Sequence, residues 1–351
     1  MSLLRNEEPM KKNSIFFKAV LLSLLPVLAG VLLCVLNGTA IWNIYLPTSE
    51  WNDELFYYKQ VEAVREYLIP QGYFGYNEGR AKYLSFATWN PLVMLPYILW
   101  SFLFGWNLYS PILCNIFLTM VAIFAFVILT KPDKKQCIAL AILYLASMYT
   151  TRFCMSAMAE TIEIFYGILF WALCISYQEK ERDYKLIISC FLVLLMTMGR
   201  PYFLILVLFP GYLWFRSKKW KGILGTLLTI VISSLLYVFI SANLCAPYLW
   251  TSLKTYWLEH YRYVGLIQGV KYTIKEILAG VMDFSEICRD AVLMPKEFDG
   301  LALQLVLVFV VLIVLFVSEC VNKRIKNCLP YAFWGGSLGV IMIAMFLMYH
   351  L

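Results

Sequence analysis

Long, continuous apolar runs are the feature of this sequence that most limits its possible folds. Several of them reach the roughly 20 residues that a helix needs to cross a bilayer. They are unbroken rather than alternating, which favours helices over the strands of a barrel. Hydrophobic residues make up 62% of the 351 positions, charged residues only 15%, and the mean hydropathy is +0.72. A soluble domain has about a quarter of its residues charged. We therefore expect an all-α polytopic membrane protein.

Short basic segments between the apolar runs predict the orientation of the chain, because Lys and Arg are enriched in cytoplasmic loops. Lys11 and Lys12 precede the first run, which has no small-residue cleavage site, so we expect a cytoplasmic N-terminus and a retained first helix. The basic segments 131–135, 178–185 and 216–221 are predicted to be cytoplasmic as well. The net charge of +7 does not indicate a nucleic-acid partner, because the basic residues cluster in short segments between the apolar runs.

This alternation predicts a single transmembrane domain over 1–351 with about nine transmembrane helices. The crossings after the first are expected near 107–130, 136–154, 161–177, 222–243, 301–320 and 329–349, with a short hairpin between 185 and 216. Each arm of that hairpin has about 15 residues, or about 22 Å, which is less than the hydrocarbon thickness. Its tip must therefore be buried in protein or line a water-filled cavity.

Two long loops are predicted on the extracytoplasmic side. Residues 38–106 form the first, and its apolar segment 90–105 must lie in or on the outer leaflet without crossing, so interfacial helices are expected there. Residues 245–300 form the second, in which apolar residues at helical spacing are typical of an amphipathic helix. Cys245 and Cys288 both fall in this loop, and the sequence leaves open whether they pair.

An acidic pair, Asp53 and Glu54, stands among aromatic residues in the first outer loop, in "WNDELFYYKQ". The following segment carries apolar residues at positions 55, 58, 61, 64 and 68, which predicts an amphipathic helix with Asp53 in its first turn. There the helix dipole favours an ionised carboxylate. The alternative is an ordinary solvated helix start, where acidic residues are common.

Five further charged residues are predicted to lie on the same outer side. Glu160 begins a transmembrane helix, and a carboxylate at the membrane edge is costly enough to indicate function. We interpret Glu163 as an ordinary carboxylate in the headgroup region. Arg200, at the tip of the short hairpin, needs an anionic partner: either a structural salt bridge to Glu160 or Asp53, or a phosphate. Arg80 and Lys82 would complete a phosphate clamp, or instead reach toward lipid headgroups.

Other common catalytic patterns are absent from the sequence. It contains no GxGxxG, Walker, HExxH or Ser/His/Asp pattern, which argues against nucleotide-dependent and zinc-protease chemistry. The lone outer histidine, His260, has no ligand spacing around it.

The order and side of these features resemble the GT-C superfamily of membrane glycosyltransferases. The resemblance is carried by "WNDELFYYKQ", "TWNPLVMLPYILWSFLFG", "MSAMAET" and "GRPYFLIL", all within the first 215 residues or so. The sequence departs from the family pattern in having the single Pro91 after Asn90, and in having Glu160 where many members have Asp. The branch that uses monosaccharide donors is the more similar one.

The resemblance implies a GT-C-like bundle and an inverting displacement on the extracytoplasmic face, with a polyprenyl-phosphate-linked sugar as donor. Asp53 would be the general base, and Glu160 would orient the acceptor or share a divalent cation, Mg²⁺ or Mn²⁺, with Asp53. Arg200, with Arg80 or Lys82, would stabilise the departing phosphate. Glu54 and Tyr58 would contribute to substrate binding.

The implied partners are the lipid donor, membrane lipid, and a glycan, lipid or protein acceptor. We expect the chain in a bacterial cell membrane. Three other functions stay open at this point: a transporter or flippase of lipid-linked sugar, a cell-surface polysaccharide polymerase, and a structural membrane subunit whose charges are ion pairs. The absence of inverted halves argues against a transporter.

Overall fold

The structure, a computed structural model, describes residues 7–46, 48, 53–68, 91–243, 256–293, 310, 313–314, 317 and 329–348. Within these ranges the chain forms helices and turns, and no strand occurs among them. This agrees with the all-α class predicted from the apolar runs. The chain divides into two compact units, Met1–Ala246 and Pro247–Leu351, which are taken in turn.

The helices of the first unit are numbered in chain order. They are α1 (Glu7–Ser23), α2 (Leu25–Leu36), α3 (Asp53–Tyr67), α4 (Leu95–Phe104), α5 (Ser110–Thr130), α6 (Lys134–Ala146), α7 (Met148–Cys154), α8 (Glu160–Glu179), α9 (Asp183–Gly199) and α10 (Leu208–Asn243). Three 3₁₀ segments, Ile41–Asn43, Pro91–Met94 and Pro201–Val207, connect or extend them.

Four helical segments among the described residues are long and apolar enough to cross a membrane. They are Ser14–Leu36, Ser110–Thr130, Glu160–Glu179 and Pro201–Asn243. These segments are compatible with an integral membrane protein. The larger total of about nine crossings stays a prediction, and most of 301–320 lies outside the described residues.

The core of the first unit forms where α1 and α2 pack against α5 and α6. Its buried members are Ala19, Leu22, Leu25, Ala29, Ile123, Val127 and Tyr144. Further along the bundle, α8 packs against both α5 and α9. These contacts bring the start of α8 and the end of α9, which carry two of the predicted site residues, to the same end of the bundle.

The crossing predicted at 136–154 differs from the observed structure. The segment is two helices, α6 and α7, separated at Ser147. The Ser147 hydroxyl accepts a hydrogen bond from the Thr150 amide at 3.4 Å and so caps α7. Ser competes for backbone hydrogen bonds in this way, which explains why an apolar run that reads as continuous is interrupted there.

A helical hairpin contains the basic segment 216–221. Lys218 has non-helical torsion angles (φ −143°, ψ 58°), so α10 bends sharply there into two arms, 208–217 and 219–243. The arms approach closely because glycines face the opposite arm. A Cβ built on Gly222 would lie 2.2 Å from the backbone nitrogen of Phe215, and one on Gly211 would lie 2.0 Å from the hydroxyl oxygen of Thr226.

The predicted first outer loop contains the two predicted helical segments. Asp53 is the first residue of α3, as the sequence predicts. The predicted apolar face is correct for Tyr58 and Val61, which are buried, but wrong for Leu55 and Leu68, which are exposed. The segment Pro91–Phe104 is helical and ends at Gly105, whose φ of 85° suits glycine. At about 20 Å it is shorter than a bilayer core, as expected for a segment that does not cross.

The second unit contains α11 (Tyr256–Tyr263), α12 (Leu266–Leu293) and α13 (Leu329–Met348). α12 packs against both of the others. Gly269 of α12 lies against the Tyr261 ring of α11, and Gly280 lies against Phe346 of α13. The amphipathic helix predicted within 245–300 is therefore present. Cys245 lies outside the described residues, as does the side chain of Cys288, so their pairing stays open.

Candidate active site at one end of the bundle

Arg200 is held at the point where α9 ends. Pro201 lacks an amide hydrogen and begins the next 3₁₀ segment, so Arg200 adopts an extended conformation and terminates the helix. Its Nη2 donates a hydrogen bond to Glu160 Oε1 at 2.9 Å. The Arg200 side chain is only 19% exposed, so this pair is screened less by water than an ion pair at the protein surface.

Glu163 is a second acidic partner of Arg200 that the sequence analysis did not select. It lies one turn after Glu160 on α8, and its Oε1 is 3.8 Å from Arg200 Nε. Its side chain is 13% exposed, so it is not the solvated headgroup carboxylate that we expected. The signal that identifies it is the spacing of three residues from Glu160, which places both carboxylates on the same helix face.

Gly199 leaves the space that the Glu163 carboxylate occupies. A Cβ built on Gly199 would lie 2.3 Å from Glu163 Oε1 and 3.4 Å from Val93 Cγ2. Val93 belongs to the 3₁₀ turn that precedes α4, and it is buried. The Pro91–Met94 turn, the start of α8 and the end of α9 therefore meet at this glycine.

Glu54 joins the first outer loop to the loop before α8. Its carboxylate is fully buried. Its oxygens accept hydrogen bonds from the Thr48 amide at 3.0 Å, from the Thr48 hydroxyl at 2.8 Å and from the Ala157 amide at 3.2 Å. Hydrogen bonds to a buried charged group are stronger than neutral ones, and losing one is costly. Glu54 is therefore well placed to position the "MSAMAET" loop.

Asn115 holds the same loop from inside the bundle. It is fully buried in α5, where its Nδ2 donates to the Ser156 carbonyl at 2.6 Å and its Oδ1 accepts from the Tyr97 hydroxyl at 2.8 Å. Sequence reasoning missed it. An amide within an otherwise apolar span was the available signal, because polar groups in such helices are costly unless they are paired.

Tyr58 lies on the side of α3 that faces the end of α4. Its ring stacks on Trp106 with centroids 5.4 Å apart, and the Trp106 indole donates to the Tyr58 carbonyl at 3.0 Å. Burial, with a smaller effect from Glu62, raises the pKa of the Tyr58 phenol above its ordinary value. The phenol is therefore neutral at physiological pH and able to donate a hydrogen bond.

Three buried polar groups near these segments have no hydrogen-bond partner in the described part of the chain. They are Oε2 of Glu160, which is the oxygen that does not pair with Arg200, the hydroxyl of the next residue, Thr161, and the side-chain amide of Gln60 on α3. Buried polar groups in proteins are nearly always paired, so such exceptions indicate a site where a ligand or water completes the bonding.

The described residues do not provide a metal site. Among the side chains that the structure describes, no three His, Cys, Asp or Glu residues come close enough to hold an ion. One oxygen of Glu160 is already paired with Arg200. The Asp53 side chain lies outside the description, so a cation shared by Asp53 and Glu160 stays a prediction, and no step below depends on one.

The structure brings several of the predicted residues together and leaves others undescribed. Glu160 and Arg200 are in contact, and Glu54 bonds to Ala157, three residues before Glu160. Asp53 adjoins Glu54 at the start of α3. Arg80 and Lys82 lie outside the described residues.

Comparisons with known proteins identify no relative of this chain. No family model matches it, and neither the curated proteins nor the solved structures contain a significant match.

Proposed function

We propose that this chain is a membrane-embedded glycosyltransferase of the GT-C type. In this proposal it transfers a sugar from a polyprenyl-phosphate carrier to an acceptor hydroxyl at the extracytoplasmic surface. The proposal is supported above all by one observation: the four stretches that resemble the family, which are distant in sequence, contact one another at one end of the bundle. The contacts are Glu54 with Ala157, Val93 with Gly199, and Glu160 with Arg200.

The proposed reaction is a direct displacement at the anomeric carbon. The acceptor oxygen forms the new bond to that carbon, and the bond from the carbon to the phosphate oxygen breaks with its electron pair on the phosphate. Asp53 takes the acceptor proton. Arg200 stabilises the charge that develops on the phosphate, because a guanidinium binds phosphate oxygens through paired N–H donors. The unpartnered oxygen of Glu160 accepts a hydrogen bond from a substrate hydroxyl.

The remaining residues hold these groups in place. Glu54 and Asn115 fix the loop before α8, and Glu163 lies 3.8 Å from Arg200 as its second acidic partner. Tyr58 stacks on Trp106 and so fixes α3 against the end of α4. Such support matters because a displacement of about 1 Å in a catalytic group can lower the rate about a hundredfold.

The role of Asp53 is tested with the full-length chain in lipid nanodiscs, using a radiolabelled polyprenyl-phosphate hexose as donor. We expect Asp53→Asn to lower transfer about 10²–10⁴-fold, the usual contribution of a general base, with donor affinity retained. Asp283→Asn, on the exposed face of α12, is the matched control and should transfer normally. Unchanged turnover in the Asp53 variant would remove the assignment.

A purely structural role for the Arg200 ion pair is the competing explanation, since the pair with Glu160 is also what that role predicts. The triple variant Glu160→Gln/Glu163→Gln/Arg200→Gln removes all three charges of the cluster but leaves hydrogen-bonding side chains in their place. If the cluster is only structural, the triple variant should transfer sugar normally. We instead expect it to lose donor binding, measured directly with the labelled lipid.

A further inference from the structure

One face of α12 is apolar, exposed and not used for packing within its unit. The residues on this stripe are Ile267, Val270, Ile274, Leu278 and Val281, which follow one another at intervals of three or four. Their exposed fractions lie between 42% and 73%. An exposed contiguous apolar stripe on a helix marks a surface that contacts lipid or protein.

The packing contacts of α12 lie on a different side of the helix. Gly269 lies against the Tyr261 ring, and the Tyr261 hydroxyl also bonds to Thr273 at 2.8 Å. Gly280 and Phe284 lie against Phe346 of α13. At 100° per residue these positions are about a quarter turn away from the stripe. The stripe is therefore an additional surface, separate from the core of the unit.

Charged residues border the stripe on the side away from this core. Lys271 and Lys275 are exposed and come next to the stripe around the helix axis, while Glu276 and Asp283 lie further round. Lysines in this position let their alkyl stems follow an apolar surface while their ammonium groups reach phosphates. The same charges make α12 unsuitable for crossing the bilayer, and it is not among the span-length apolar helices.

The contacts that α11 and α12 make with α13 indicate at which depth of the membrane α12 lies. They involve Phe346 and Leu347, in the last turn of an apolar helix. Trp257 of α11 donates its indole N–H to the Leu347 carbonyl at 2.9 Å. Trp and Tyr are enriched at the boundary between the acyl chains and water, and α11 contains one Trp and three Tyr. The end of α13 and the adjoining α11 and α12 thus have the composition of a membrane–water interface.

We propose that α12 lies in the plane of the membrane surface, with the Ile267–Val281 stripe among the lipid acyl chains and Lys271 and Lys275 at the phosphates. The partner is a phospholipid surface rather than a protein. Amphipathic helices with basic residues beside the apolar face bind membranes in this orientation. The inference does not depend on the transferase activity.

The test uses the full chain in nanodiscs, with an environment-sensitive fluorescent amino acid introduced in place of Ile274 on the stripe or of Lys275 beside it. Acyl-chain-brominated phosphatidylcholine and aqueous iodide serve as quenchers. We expect the label at 274 to be quenched by the brominated lipid and protected from iodide. The label at 275 should be quenched by iodide and protected from the brominated lipid. Labels at Val270 and Val281 repeat the measurement if the first variant does not fold.

Two outcomes would overturn the inference. Protection of position 274 from both quenchers would show that protein covers the stripe, either another part of this chain or a second copy. Quenching by iodide alone would show that the stripe faces water.

Discussion

The geometry around Arg200 depends on the absence of one side chain, that of residue 199. Arg200 contacts two carboxylates, Glu160 and Glu163, and the second of them occupies the volume next to the Gly199 Cα. Any larger residue at this position must displace the carboxylate or separate α8 from α9. Gly199 is therefore required for the packing of the candidate site, in addition to ending α9.

Gly199→Ala should disturb the site, whereas Gly167→Ala should not. The added methyl group at 199 meets a buried oxygen, and overpacking of this kind costs about 1–3 kcal/mol. The matched change at Gly167, on α8, meets open space and should be neutral or stabilising by up to about 1 kcal/mol, because Ala favours helix. Unfolding by SDS titration measures both. Equal stabilities would contradict the described position of Glu163.

At the scale of helices, the short hairpin and the kinked α10 place Arg200 and the basic segment 216–221 at different positions along the bundle axis. The Pro201–Val207 segment is 3₁₀ and rises more per residue than an α-helix, which lengthens an arm that contains few residues. The turn at Lys218 then reverses the chain, and Gly211, Gly222 and Gly225 let the two arms of α10 lie close together. Small residues commonly allow such close contact between membrane helices.

Gly222→Ala should open this hairpin. The new methyl group would meet the backbone of Phe215, which cannot rotate away as a side chain can. We expect a loss of about 1–3 kcal/mol in the free energy of unfolding in detergent. Gly339→Ala, in α13, adds the same methyl group in open space and serves as the control. A Gly222 variant as stable as the control would show that the arms do not pack as described.

At the scale of the whole first unit, α8 separates the candidate site from a basic surface. Glu160 begins the helix next to Arg200, and Glu179 ends it next to Lys131, 3.4 Å away. Twenty residues of α-helix span about 30 Å, close to the thickness of the hydrocarbon core. At the basic end the buried Lys185 ammonium donates to the Ser176 carbonyl and so satisfies the last turn of α8.

This arrangement predicts the topology of the chain in its membrane. A cysteine introduced at Trp42, an exposed residue of the predicted first outer loop, should react with a membrane-impermeant maleimide in intact cells. A cysteine at Glu181, at the basic end, should react only after the cells are permeabilised, because basic loops are retained in the cytoplasm. The unmodified chain provides the background. The reverse pattern would place the Glu160–Arg200 cluster in the cytoplasm and exclude the proposed reaction there.

Hydropathy, helix periodicity and proline act over a few neighbouring residues, so the sequence alone predicts the all-helical class, Asp53 in the first turn of α3 and the end of α9 before Pro201. It also identified Glu160 and Arg200 as charges that need partners, since an unpaired charge at a membrane edge is costly whatever the fold. The identity of those partners depends on the three-dimensional packing of the helices. The selection of Glu163, the burial of Glu54 against Ala157 and the role of Asn115 each depend on helices that are distant in sequence and meet in space. Local patterns carry no information about such contacts.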